Sequence, residues 1–141
     1  MKPEQIKKWF KYGDDDFDIA KLIMNQSAPS YHNVCLHCQQ AVEKYLKAFV
    51  MYKTRGGVRF THDLDYIMRQ VFLIADEEEI REFNLFLGDI IFLGDFDRDI
   101  KYPPDDMTDI DEETAQTAIK SMEKVRKMSS LQNIRIKLSK S

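Results

Sequence analysis

A row of polar side chains offers the first chemistry in this sequence. Steps of three, four and three residues connect His37, Gln40, Lys44 and Lys47. At about 100° per residue, these steps place all four side chains on one side of a helix. Two cations, an amide and an imidazole can hold a phosphate and hydrogen-bond the edge of a base. The alternative is that the row is the solvated face of a surface helix.

A second pair of residues has the chemistry to cleave RNA. Six residues separate Arg55 from His62. In such a pair the histidine moves protons and the arginine stabilises charge on the phosphate, without a metal ion. The chain has seven arginines and three histidines, so one such pair is a weak signal. The alternative is a basic loop followed by the start of a helix.

Potential metal ligands cluster around the start of the polar row, at His32, Cys35, His37 and Cys38. A structural zinc site normally takes four ligands from two separate segments, and the sequence has no second cysteine pair. We therefore predict two core cysteines, no metal site and no cofactor. Residues 95–111 are rich in aspartate and could bind Mg²⁺. They lack the spacing of a calcium loop, so solvated acids are predicted there.

Long helices are predicted to position these residues. Prolines fall at the edges of segments in which apolar residues recur at steps of three and four. The predicted helices cover residues 4–25 and 31–53, then 61 to a break near 75, then a stretch from 76, and a last stretch from 112. Gly88 and Gly94 leave the end of the fourth helix open, with a loop over 95–111. The result is an all-α, antiparallel, up-and-down bundle of four or five helices.

The end of the chain has a different pattern. Three apolar residues alternate there with Arg135 and Lys137, which is the period of an extended segment rather than of a helix. We interpret it as a frayed extension or a docking arm. The predicted organisation is thus a helical domain over residues 1–130 and a basic tail over 131–141.

Length and charge limit the classes of function. The chain has 141 residues, 43% of them apolar, and a net charge of −3, as expected for one folded domain. The charge is uneven: residues 1–71 carry +3, residues 72–119 carry −12 and residues 120–141 carry +6. The acidic middle disfavours extended RNA and favours a small nucleotide or a protein partner. With no apolar run long enough for a membrane span and no apolar leader, we expect a cytoplasmic protein.

Four segments carry a family resemblance. Residues 35–48 read Cys-Leu-His-Cys-Gln-Gln-Ala-Val-Glu-Lys-Tyr-Leu-Lys-Ala. Residues 61–64 read Thr-His-Asp-Leu, and residues 101–105 read Lys-Tyr-Pro-Pro-Asp. Together with the region from Trp9 to residue 22, they resemble the conserved elements of the HEPN family, the higher-eukaryote and prokaryote nucleotide-binding domain. Their order and spacing agree over roughly residues 5–128 and leave out the tail.

The resemblance implies a helical bundle that forms homodimers and is often encoded beside a minimal nucleotidyltransferase, sometimes as a toxin–antitoxin pair. Ribonuclease branches of the family carry an arginine and a histidine, four to six residues apart, late in the bundle. No histidine follows His62 in this sequence, and Lys101 stands where the late element has arginine. The resemblance therefore implies a nucleotide- or partner-binding module rather than an enzyme. The alternatives are a metal-independent ribonuclease using Arg55 and His62, and a purely structural homodimer.

Carried over by position, the resemblance assigns nucleotide binding to His37, Gln40, Lys44, Lys47, His62, Lys101 and Tyr102. Lys44 and Lys101 are expected to face phosphates, and Tyr102 to stack on a base. The imidazole and the amide of the second helix would hydrogen-bond a base or ribose. His62 would lie at a helix start, where backbone N–H groups favour an anion. The alternative is that the pattern serves helix packing and dimer contact.

Overall fold

The computed structural model describes residues 2–56, 64–101 and 110–140, with side chains up to residue 96 in the middle range. Within these ranges the chain forms six helices and no strand. They are α1 (Pro3–Met24), α2 (Tyr31–Thr54), α3 (Leu64–Ile74), α4 (Glu77–Lys101), α5 (Glu112–Arg126) and α6 (Ser129–Ser139). The predicted all-α helical bundle is confirmed. No helix in the described part of the chain is long and apolar enough to cross a bilayer.

The second helix lies at the centre of the bundle. α2 packs against each of the other five helices, and its apolar side, including Tyr45 and Phe49, is fully buried. Its polar side is largely covered as well, because Gln39, Glu43 and Lys47 are each no more than 4% exposed. Buried polar groups need partners to offset the loss of water. The partners of α2 therefore decide whether its polar side can also bind a ligand.

The first two helices approach each other unusually closely at Gly13. A methyl group added at Gly13 would lie 2.6 Å from the ring of Tyr45 and 3.3 Å from the backbone oxygen of Ala41. From the sequence alone, Gly13 is expected to lower the stability of its helix by about 1 kcal/mol relative to alanine. The structure gives the reason for it: glycine leaves room for the Tyr45 ring.

Aspartates cap the starts of α4 and α5. Asp76 accepts a hydrogen bond from the amide of Glu79 at 2.8 Å, and the Glu79 carboxylate accepts one from the amide of Asp76 at 2.9 Å. At the start of α5, Asp111 accepts a bond of 2.8 Å from the amide of Thr114. These hydrogen bonds lower the pKa of both aspartates below the ordinary value. Each aspartate therefore satisfies a backbone N–H group that the first turn of its helix leaves without an intrahelical partner.

The fourth helix is longer than its pattern predicts. Residues 95–101 were expected in a loop, but α4 continues to Lys101. Leu93 and Phe96 extend the buried stripe of the helix by almost one turn, and Phe96 packs edge-on against Phe92 with ring centroids 5.1 Å apart. A methyl group at Gly94 would meet Leu64 at an ordinary 3.4 Å. Core packing therefore outweighs the low helix propensity of this glycine.

The end of the chain is a helix rather than an extended tail. α6 buries Leu131, Ile134 and Leu138, at steps of three and four, and leaves Ile136 53% exposed. The helix begins at Ser129 and so crosses the predicted boundary between residues 130 and 131. Its first turn is capped from another helix, because the carboxylate of Glu82 accepts the amides of residues 129 and 130 at 2.8 and 2.7 Å. A cap supplied from 47 residues away has no local sequence signal.

Candidate functional site

A buried carboxylate of α1 joins two members of the predicted polar row. Asp16 lies 2.9 Å, through Oδ1, from Nδ1 of His37, and its Oδ2 accepts a hydrogen bond from the ammonium of Lys44. His37 and Lys44 are seven residues apart, which is two helical turns, so both reach the same neighbour. We call Asp16, His37 and Lys44 the Asp16 cluster. The cluster fastens α1 to α2 with polar contacts.

The exposure of the cluster differs between its members. The carboxylate of Asp16 is 8% exposed, whereas the side chains of His37 and Lys44 are 24% and 28% exposed. When Nδ1 of His37 donates to Asp16, Nε2 is left as an acceptor. Lys44 has three N–H donors, of which one is used by Asp16. The cluster can therefore offer a fixed imidazole and a fixed ammonium to a small ligand.

The fourth member of the row has a different environment. The ammonium of Lys47 lies 3.0 Å from the carboxylate of Glu43, and the two side chains are 5% and 6% exposed. The same ammonium lies 5.2 Å from the ring centroid of Trp9, within the range of a cation–π contact. Gln40, one turn after His37 on the same helix, is half-buried. Lys47 is thus enclosed by protein, while His37, Gln40 and Lys44 line the more accessible edge of α2.

The other predicted site residues cannot be placed against this edge. His62 and Tyr102 lie outside the described residues, and Lys101 ends α4 with its side chain outside them. Arg55, the other half of the ribonuclease pair, is the C-cap of α2 with a left-handed φ of 56°, and its amide bonds to the carbonyl of Met51. Its geometry relative to His62 falls outside the described part of the chain.

A second aspartate of α1, Asp14, connects four helices. The sequence pattern did not predict this set of contacts. Asp14 accepts hydrogen bonds from the Tyr45 hydroxyl of α2 at 2.6 Å and from Arg126 of α5 at 3.1 Å. It also accepts two bonds, of 2.8 and 3.0 Å, from the guanidinium of Arg135 in α6. The guanidinium stacks 4.4 Å from the ring centroid of Phe10. Asp14 is therefore the point where the first, central and last two helices are held together.

The charge state of Asp14 follows from these contacts. Partial burial alone would raise its pKa, but the hydrogen bonds from Arg135 and Tyr45 and the charge of Arg135 outweigh that effect, and the pKa lies below the ordinary value. The same hydrogen bond acts oppositely on its donor: burial, together with the bond to Asp14, raises the pKa of Tyr45. Asp14 is thus held as a carboxylate and Tyr45 as a neutral hydroxyl.

A signal for Asp16 was present in the sequence. The buried residues of α1 are Ile6, Phe10, Gly13, Asp16 and Ala20, at steps of four, three, three and four. Asp16 is therefore the one charged residue on the apolar stripe of its helix. A carboxylate on a buried stripe requires a cationic or hydrogen-bonding partner, and the basic row of α2 was the available source. Asp14 gave no such signal, because its partners come from three distant segments.

The predicted core position of the cysteines is confirmed. Cys35 and Cys38 are unpaired and completely buried on the apolar side of α2. Burial raises the pKa of the Cys35 thiol to about 12 and that of Cys38 further. Neither thiol is therefore available as a thiolate at neutral pH.

These features define a helical bundle with a polar seam between its first two helices. Comparison with protein families identifies which bundle it is: the model of the HEPN domain matches residues 6–133. The chain belongs to the HEPN domain family, and the match extends from α1 into the first part of α6. This membership indicates a nucleotide- or RNA-related module. No curated protein and no solved structure matches the chain.

Proposed function

We propose that this HEPN domain binds a small nucleotide at the Asp16 cluster and Gln40, and acts beside a minimal nucleotidyltransferase rather than as an enzyme. The observation that carries the proposal is the shared carboxylate, which holds His37 and Lys44 side by side at a partly exposed edge. Holding both groups in place before the ligand arrives lowers the entropy cost of binding.

The chemistry of the cluster suits a nucleotide with few phosphates. Two N–H donors of Lys44 remain for phosphate oxygens once one has bonded Asp16. Nε2 of His37 can accept from a ribose hydroxyl or a base amino group, and the amide of Gln40 can both donate and accept. Because Asp16 balances the charge of Lys44, the cluster attracts a polyanion only weakly. The net charge of −12 over residues 72–119 further disfavours long RNA.

Lys47 has a separate role in this proposal. Its ammonium is enclosed by Glu43 and Trp9, so a phosphate could reach it only if the seam between α1 and α2 opened. We assign Lys47 to the stability of the seam. The ligand contacts on α2 are thereby reduced from four residues to three.

Titration calorimetry with ATP, GTP and a short oligonucleotide tests the binding. We expect saturable binding of a mononucleotide and at least a tenfold loss of affinity in Lys44→Gln, which keeps an N–H donor for Asp16 but removes the charge. Lys120→Gln, an exposed lysine of α5, is the matched control and should bind like the wild type. A dissociation constant weaker than about 1 mM for every ligand, which is about −4 kcal/mol, would contradict the proposal.

Two further experiments test the partner and the absence of catalysis. If the gene beside this one encodes a small nucleotidyltransferase, the two purified proteins should elute together in size-exclusion chromatography. Separate elution at concentrations well above micromolar would remove the partner from the proposal.

Incubation with mixed RNA should give no cleavage. Cleavage that disappears in His62→Ala would establish the ribonuclease alternative instead.

A further inference from the structure

A cavity lies between the first and the last helix. It has a volume of about 370 Å³ and is lined by side chains of α1 and α6. Two of these side chains, Phe10 and Leu138, are apolar and belong to the core of the bundle. The guanidinium of Arg135, which also lines the cavity, lies 4.4 Å from the centroid of the Phe10 ring. The cavity therefore has an apolar wall, and its volume is within the range of small-ligand sites, about 300–1,000 Å³.

Two lysines of α1 stand beside this apolar wall. Lys7 and Lys11 are one turn apart and both line the cavity. Lys7 lies 3.1 Å from Glu4, whose side chain is 75% exposed. Lys11 lies 3.6 Å from Asp15, whose side chain is 55% exposed. Exposed ion pairs contribute only about 0–1 kcal/mol, and each lysine ammonium has three N–H donors. Both lysines can therefore also donate hydrogen bonds to an anion in the cavity.

The acids at the cavity leave an excess of positive charge. Three bases and two acids line it, a net charge of +1. One of the acids, Asp14, already accepts hydrogen bonds from Tyr45, Arg126 and Arg135. Residues 120–141, which include α6, carry +6 and add to the local positive potential. An anionic group is therefore attracted to this cavity and a cationic group is not.

We propose that the α1–α6 cavity binds a small amphipathic anion, in which a short alkyl or aryl body carries one carboxylate. The body would pack against Phe10 and Leu138, and the carboxylate would accept charge-assisted hydrogen bonds from Lys7 and Lys11. Because the ligand would contact both α1 and α6, its binding would stabilise the docking of the last helix.

This site is separate from the proposed nucleotide site. The Asp16 cluster connects α1 to α2, whereas the cavity lies between α1 and α6. Three residues of its wall, Arg135, Leu138 and Ser139, also lie beyond residue 133, where the match to the HEPN domain ends. Membership of the family therefore does not imply this site, and the proposal stands or fails independently of nucleotide binding.

Nuclear magnetic resonance of the isotope-labelled full chain tests the site with three probes. Hexanoate has both the alkyl body and the carboxylate, hexanol has only the body, and acetate has only the carboxylate. We expect hexanoate to shift the amide signals of residues 7–11 and 135–139 in a saturable way, and each of the other probes to bind at least tenfold more weakly. Shifts that do not saturate, or that fall instead on Phe72 and Leu73 of α3, would overturn the proposal.

Variants of the wall identify the groups that bind. The double variant Lys7→Gln/Lys11→Gln should weaken hexanoate binding at least tenfold, because it removes the charges and keeps side chains of similar length. Lys8→Gln is the matched control, since Lys8 is an exposed lysine of the same helix outside the cavity. Ser139→Trp places a large ring at an exposed position of the wall and should also block binding.

Thermal unfolding gives an independent readout of the same site. Hexanoate at saturating concentration should raise the Tm of the wild type and of Lys8→Gln, but not that of Lys7→Gln/Lys11→Gln. Circular dichroism should show equal helix content in all variants. Hexanoate binding that is unchanged in both the double lysine variant and Ser139→Trp would place the ligand elsewhere and overturn the proposal.

Discussion

Two surfaces between helices differ in how their side chains are used. The seam between α1 and α2 contains the Asp16 cluster and the pair Glu43–Lys47. The groove between α3 and α4 is lined mainly by apolar side chains, among them Phe72, Leu73 and Ile91. In the seam, buried charges meet partners within the chain: Asp16 with Lys44, and Glu43 with Lys47. In the groove, large apolar side chains such as Leu73 are exposed. A polar pattern in the sequence therefore does not by itself indicate solvent exposure, and an apolar pattern does not by itself indicate burial. The charges of the seam are covered by the chain itself, whereas the groove leaves apolar side chains exposed.

The largest expected effect tests whether the seam depends on its buried ion pair. Glu43→Gln removes the carboxylate that lies 3.0 Å from the ammonium of Lys47 in a nearly fully buried site, and we expect a loss of about 3 kcal/mol of unfolding free energy. The double variant Glu43→Leu/Lys47→Met should recover most of it, because an apolar pair avoids the cost of burying charge. Thermal unfolding followed by circular dichroism measures both.

An exposed pair with the same spacing is the control for this prediction. Lys11 and Asp15 are 3.6 Å apart, with side chains 70% and 55% exposed. Asp15→Asn should change the free energy of unfolding by less than about 0.5 kcal/mol. If Glu43→Gln is equally mild, the seam is hydrated in solution and the contrast with the groove disappears.

A smaller effect compares one glycine from each region. Gly13→Ala should destabilise the protein by about 1–3 kcal/mol, because the new methyl group would overlap the ring of Tyr45. Gly88→Ala should stabilise it by about 0.5–1 kcal/mol, since a methyl group there meets nothing within 4 Å and alanine favours the helix. Chemical denaturation of the two variants gives both signs. Two changes of the same sign would contradict the described packing of α1 on α2.

The smallest expected effect concerns acid stability. The pKa of Asp14 is lower in the folded chain than its ordinary value, so the stabilisation it supplies is complete above that ordinary value and is lost as the pH falls through the folded value. Unfolding free energy should therefore decrease below about pH 4, and less steeply in Asp14→Asn. Denaturation curves measured from pH 7 down to pH 3 provide the test. Equal slopes for both proteins would mean that Asp14 has the same pKa folded and unfolded.

Periodicity predicted the helices of this chain well where the apolar stripes are regular. α2 begins at the predicted Tyr31 and ends one residue beyond the predicted Lys53. The pattern was ambiguous in α6, where alternate apolar residues also satisfy steps of three and four through Leu131, Ile134 and Leu138. Burial against the bundle favours the helix over the extended segment. The start of this helix is capped by the distant Glu82.

The candidate site was predicted in part. The sequence identified His37, Gln40 and Lys44 as neighbours on one face, and spacing alone was enough for that. The buried stripe of α1 marked Asp16 as a residue that needs a partner, but which residues of α2 it contacts depends on how the two helices pack, and spacing within one helix does not give that. Nor did it show that Lys47 is enclosed, since its partner Glu43 is itself buried.

The contact between Asp14 and Arg135 also bears on how the chain acquires its structure. The two residues are 121 positions apart in sequence, and a contact of such separation can form only after synthesis has passed residue 135. Tyr45 of α2 and Asp14 of α1 are available much earlier, so the first helical hairpin can assemble while the last helix is still missing. Closing so long a stretch of chain is slow compared with forming a hairpin. We therefore expect α6 to dock late in folding. Its docking would complete the hydrogen bonds of Asp14, which is synthesised more than a hundred residues earlier.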